Sequence, residues 1–181
     1  VDVHIAERIF RFPALSEELP KTWNLRLTRE FHMTDDSYLF KTEQGPGLVP
    51  LYEGKMIWQF DAKYAEPKYW VDQRESTAVL KAAAARRLSL MLRSEIPGLT
   101  KDGADALIDL EGVQIDATCY RFCFRDIAAS TNERAMICAV LPRNHFAGNT
   151  LNLERSLEFE VLGHEWRQRA TLSAAQKLYV C

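Results

Sequence analysis

The stretch Leu48–Asp61, LVPLYEGKMIWQFD, restricts the fold most, because its aromatics alternate around a single glycine and so favour extended chain. Under period-two alternation Tyr52, Trp58 and Phe60 share a face with Gly54 and Met56, leaving Leu51, Glu53, Lys55, Ile57, Gln59 and Asp61 on the other. An aromatic underside would then hold Glu53, Lys55, Gln59 and Asp61 outward as a hydrogen-bonding surface. A hairpin whose polar face is simply hydrated fits the same spacing.

The flanking segments supply the rest of the architecture. Trp23–Phe31 alternates as a strand, and Ile5–Leu19 reads as a strap or edge piece ahead of it. In the HMTDDS loop, Asp35 and Asp36 suit helix capping, with a short helical turn through Tyr38–Phe40. Ser76 is placed to cap a helix over 77–93, which four alanines at 82–85 favour and Ile96-Pro97-Gly98 ends. Lys81, Arg86, Arg87 and Arg93 make this helix the one dense basic patch, either facing phosphate or forming a solvated outer face. Lys101–Glu111 is a weakly helical connector.

Ala117–Ile127 alternates strictly, with Cys119, Arg121, Cys123 and Arg125 on one face and Tyr120, Phe122 and Phe124 on the other. Two arginines on one strand face require something negative: an external partner, or a buried ion pair with Asp126 or Glu133. AMICAVLP is a buried strand, Leu157–Leu162 another, and Leu172–Cys181 begins a further helix or strand. These elements predict an α+β fold: a twisted mixed β-sheet from strands near 23–30, 49–60, 118–126 and 135–141, with one main helix (77–93) packed on it, in a single domain over 1–181.

Composition limits the function. With 47% hydrophobic residues in 181 the chain can build a core, but a net charge of −2 provides no global basic field, so any nucleic-acid contact must be local. Cys119, Cys123, Cys138 and Cys181 lack CxxC pairing and point to a reduced, cytoplasmic setting. No apolar run approaches the roughly 20 residues of a membrane helix. The four histidines form no HExxH, and GxSxG, GxGxxG and GKS/T are all absent. A chain that starts on Val1 and stops in KLYVC reads as a fragment of a larger protein. Two alternatives have their own residues: a Mg²⁺-dependent nuclease using Asp36, Glu53 and Lys55, and a protein-interaction domain docking through Trp58, Trp70 and Trp166.

Four stretches in order resemble the C-terminal target-recognition region of restriction-type adenine-N6 DNA methyltransferases, including type IIG restriction-modification enzymes and BREX and DISARM phage-defence methylases. They are WNLRLTREFHMTDDSYLF (Trp23–Phe40), LYEGKMIWQFD (Leu51–Asp61), YRFCFRDIAASTNER (Tyr120–Arg134) and ICAVLPR (Ile137–Arg143), and they cover the chain from about Trp23 onward. The resemblance implies double-stranded DNA as partner and a methyltransferase domain upstream on the same parent chain. S-adenosylmethionine would be that domain's cofactor, with none in this chain, which also lacks the Asn-Pro-Pro-aromatic segment of such enzymes. Glu53, Lys55, Gln59, Arg121, Arg125 and Asn132 are then expected at base edges; Lys63, Arg86, Arg87 and Arg134 complete the DNA-binding set. Arg155–Thr171 matches the family pattern least, and no role is carried onto it.

Overall fold

The computed structural model describes residues 2–20, 22–134 and 136–181; Val1 and Ala135, the first residue of an expected strand, lie outside them. The chain opens on a short helix, α1 (Asp2–Ile9), and reaches a two-residue strand at β1 (Leu27–Thr28). A 3-10 turn over Ser37–Leu39 stands where the sequence places a helical turn. Next, β2 (Leu48–Tyr52) gives way to a second 3-10 turn, Gly54–Met56, and β3 (Tyr69–Asp72) runs directly into the long helix α2 (Gln73–Glu95). α3 (Lys101–Ala106) lies within the expected connector. Six strands follow: β4 (Arg121–Arg125), β5 (Cys138–Leu141), β6 (Phe146–Ala147), β7 (Leu151–Glu154), β8 (Leu157–Leu162) and β9 (Glu165–Ala170). Helix α4 (Ala174–Val180) comes last, and β8 has the bounds the sequence predicts.

The architecture is α+β, with the main helix packed on sheet. The expected strands divide between two sheets, however. One is antiparallel, in the order β1-β7-β4-β5; the other, β3-β2-β6, is mixed, since β2 runs antiparallel to β3 and parallel to β6. β8 and β9 form a separate hairpin. The long stretch beginning at Leu48 is not one strand, because alternation stops at Tyr52. Met56 and Ile57 are neighbours yet both are buried, which a pleated strand forbids and a 3-10 turn allows.

Helix α2 begins earlier than predicted because Asp72 is its cap. The Asp72 carboxylate accepts from the Arg74 and Glu75 amides at 2.9 and 2.8 Å, while Ser76 is buried within the helix. Leu88 and Leu92 pack with Ala104 of α3 and, across the hairpin, with Phe159 and Trp166. No helix among the described residues is long and apolar enough to cross a membrane.

Strand β4 is covered on both faces. Cys123 lies among Tyr52, Met56, Ile57 and Leu141, and Phe122 lies with Leu25, Cys138 and Leu172 on the other side. Arg121 shares the Cys123 face and is completely buried. Its guanidinium meets Glu30 at 2.5 Å and donates to the His145 carbonyl, while the second oxygen of Glu30 accepts from the Ala147 amide at 2.9 Å. Burial opposes the Arg121 charge, but Glu30, helped by Asp116 and Cys123, outweighs it and holds the group above the ordinary arginine range. A second buried pair, Lys177 with Glu154 at 3.2 Å, fastens α4, and Lys177 also donates to the Tyr120 carbonyl.

Two outcomes follow for stability. Arg121→Ala or Glu30→Gln should lower unfolding free energy by about 3–5 kcal/mol in denaturant titration, because each strands a buried charge or its donors; replacing both with apolar residues should fall closer to wild type. Burial pushes the Cys123 thiol from 9.0 up to about 12, so the unfolded chain releases that proton first. Calorimetry should therefore show a contribution that is flat below pH 9 and increasingly destabilising toward pH 12, and Cys123→Ala should remove it.

Candidate functional site

Where β2 ends, Glu53 turns the chain into the Gly54–Met56 3-10 turn, and Gly54 is needed for what it touches. A Cβ there would stand 3.0 Å from the Thr150 carbonyl oxygen, and the Gly54 amide donates to the Thr150 hydroxyl at 2.9 Å. The bare glycine lets the loop before β7 lie directly on the turn. Arg125, at the end of β4, closes the third side. It donates to the Ile57 carbonyl at 2.6 Å, and its guanidinium stands 5.1 Å over the Trp58 ring, which stacks on Tyr64 at 5.2 Å.

These pieces enclose an open cavity of about 430 Å³, lined by Glu53, Lys55, Arg125, Asp126, Asn149 and Thr150 among others. Glu53 is nearly buried, and one of its carboxylate oxygens has no hydrogen-bond partner; the Lys55 ammonium stands 3.6 Å away. The Lys55 side chain is 58% exposed and reaches over the opening. Arg125 keeps a buried Nε without a partner. Asp126 is already committed to Arg29 at 2.7 Å and Asn152 at 2.8 Å. The wall therefore offers a lysine and an arginine as donors, an acid with spare acceptor capacity, and the Nδ2 donor of Asn149, whose Oδ1 accepts from the Met33 amide at 3.3 Å. Beside it Phe60 projects into solvent from a turn at φ +66, a left-handed conformation that a bulky residue holds only under constraint; its amide donates to the Cys138 carbonyl at 2.8 Å.

Of the residues predicted for base contact, Glu53, Lys55 and Arg125 meet on this cavity. Arg121 does not: it is sealed in its pair with Glu30, so the internal alternative holds with a partner other than Asp126 or Glu133. Gln59 is also internal. Its Nε2 donates to the Cys181 carbonyl and its Oε1 accepts from the Cys138 amide, because the turn after Ile57 folds its side chain inward. Asn132 is half-buried and Arg134 exposed on the segment between β4 and β5 that begins with the cavity residues Asp126 and Ile127. Lys63 is exposed just past the Trp58–Asp61 turn. Arg86 is exposed on α2 and Arg87 half-buried there, and neither lines this cavity.

Of the residues expected for a Mg²⁺ centre, Glu53 and Lys55 line the cavity and Asp36 does not. The Asp36 carboxylate accepts from the His32 amide at 2.7 Å, without capping the turn and without lining the cavity. Among the described residues no three His, Cys, Asp or Glu side chains are grouped to hold a cation. Trp58, Trp70 and Trp166 are each half-buried, and Trp166 is tied inward through its donation to the Leu107 carbonyl at 3.0 Å. Sequence reading missed Asn149 and Thr150, which reach the cavity only because Gly54 and Gly148 allow close chain approach.

Lys55→Ala should cost no more than about 1 kcal/mol, because the lysine is exposed even though Glu53 is nearly buried, whereas Arg125→Ala should lose about 1–3 kcal/mol with its carbonyl bond and ring contact; chemical denaturation separates them. Searches against family models, curated proteins and solved structures find no match to this chain.

Proposed function

We propose that this chain is a target-recognition module for duplex DNA, serving a restriction-type or phage-defence adenine-N6 methyltransferase. A catalytic domain elsewhere on the parent chain, using S-adenosylmethionine, flips out and methylates the adenine. The observation that supports the reading is the convergence of Glu53, Lys55 and Arg125 with Asn149 on one open cavity. Lysine and arginine suit guanine, an asparagine amide suits adenine, and a carboxylate accepts from cytosine, so these four types span the donor and acceptor patterns of base edges.

Positioning contacts are assigned to residues of the chain segments that run on from the cavity. Lys63 and Arg134 are exposed and suited to phosphates, while Phe60 and Tyr64 offer ring faces to sugar or unstacked base. Arg121 and Gln59 leave the base-contact set and Asn149 enters it, while Asn132, on the segment between β4 and β5, does not line the cavity. The net charge of −2 gives no long-range attraction, so the module by itself binds feebly and relies on its parent chain to complete the grip on DNA.

Duplex affinity of the parent enzyme should fall steeply with salt, and Arg134→Ala should lessen the slope of log K against log salt by about 0.9 if it holds one phosphate. Lys55→Ala should relax discrimination at one base pair by about 1–3 kcal/mol. Exchanging this segment between two such enzymes should exchange their methylation sites; unchanged sites would overturn the proposal.

A further inference from the structure

A second cavity, of about 190 Å³, lies between α2 and the β8–β9 hairpin and shares no residue with the first. Arg87 and Met91 of α2 form one wall; Arg26, Arg155, Glu158 and Phe159 supply the others. Arg26 and Arg155 are brought together by the backbone, the Arg155 amide donating to the Arg26 carbonyl at 2.8 Å.

The charges here are unevenly satisfied. Arg26 pairs with Glu18 and, at 3.2 Å, with Glu158, whose other oxygen meets Arg169 at 3.7 Å. Glu158 is the one carboxylate lining the cavity, and it is fully engaged. Among the described residues Arg87 and Arg155 make no ion pair and donate no side-chain hydrogen bond, and the Arg155 Nε is buried without a partner. Burial, then the positive charge of Arg155, draws Arg87 below the ordinary arginine range, with Asp116 offsetting only part. Asp116 itself is occupied in accepting from the Leu157 amide at 2.8 Å. Two guanidiniums are thus held near one another beside Met91 and Phe159 with no carboxylate in salt-bridge contact, Asp116 offsetting the Arg87 charge only in part, an arrangement that like-charge repulsion disfavours.

We infer that Arg87 and Arg155 form a phosphate-binding site in this cavity. A tetrahedral phosphate carries enough acceptor oxygens to engage two guanidinium forks at once, which a carboxylate does less completely. At about 190 Å³ the space is below the roughly 300–1,000 Å³ of pockets that enclose whole ligands, so the phosphate group enters and the remainder of its molecule stays outside. The inference stands independently of the DNA reading, since backbone phosphate and a free phosphorylated compound present the same group.

Thermal unfolding of the full chain in inorganic phosphate, against chloride at matched ionic strength, tests the site. Wild type should be stabilised saturably, and Arg87→Gln and Arg155→Gln should each weaken the apparent phosphate affinity at least tenfold. In chloride both variants should unfold at or above the wild-type temperature, because a repulsion is removed; an arginine with a purely structural role would lower it. Arg87→Lys, which retains the charge without the fork, should fold and bind with intermediate affinity. Failure of phosphate to stabilise wild type, or stabilisation undiminished in both glutamine variants, would overturn the inference. Duplex DNA then identifies the source. Competition with phosphate that both variants abolish assigns a backbone phosphate, and no competition assigns a free phosphorylated molecule. Neither result depends on Lys55, whose variant reports the DNA reading separately.

Discussion

The Arg121–Glu30 pair is the constraint on which the rest of the structure depends. Arg121 belongs to β4, at the centre of the four-stranded sheet, but its second nitrogen reaches the His145 carbonyl beside β6, and Glu30 holds the Ala147 amide of β6. One ion pair therefore joins two sheets that share no strand. A buried pair is seldom a large net source of stability, since desolvation offsets most of its attraction. Its value here is specificity: the pair engages the His145 carbonyl and the Ala147 amide together, although the buried Arg121 Nε is left without a partner, so any displacement of one sheet against the other strands a charge or an amide in an apolar core.

Arg125 repeats the device four residues along the strand. By donating to the Ile57 carbonyl it ties β4 to the end of the 3-10 turn, and that tie sets Glu53 and Lys55 beside Asn149. The cavity is thus a by-product of how the two sheets are fastened. Arg125 serves both purposes, with one nitrogen structural and the remainder of the guanidinium on the wall, whereas Lys55 is held by little more than its neighbour Glu53.

Pairing also separates charges that hold the fold from charges that remain available. Among the described residues the two buried cations have partners: Arg121 with Glu30 and Lys177 with Glu154. Arg87 and Arg155 stand apart from this pattern although they are partly buried. In a chain whose net charge is slightly negative, unpaired guanidiniums in a concavity are not explained by a general excess of cations.

The sequence by itself determined the local elements. Period-two alternation marked β4 and assigned its faces correctly, the alanine-rich segment with Pro97-Gly98 after it located α2 although its start at Gln73 lies ahead of the expected 77, and the strand at Leu157–Leu162 was legible in full. Only tertiary structure decided which polar residues face water. Arginine at 121 and at 125 look alike in sequence, yet one is sealed and the other lines a cavity, because the difference lies in what a distant segment, Glu30 or Ile57, places opposite each. The same holds for Gln59, folded inward by the Trp58–Asp61 turn that follows the 3-10 turn, and for Asn149 and Thr150, carried to the cavity by a loop far along the chain. Periodicity reports the geometry of one segment; partners across the fold are set by packing, and packing determines the site.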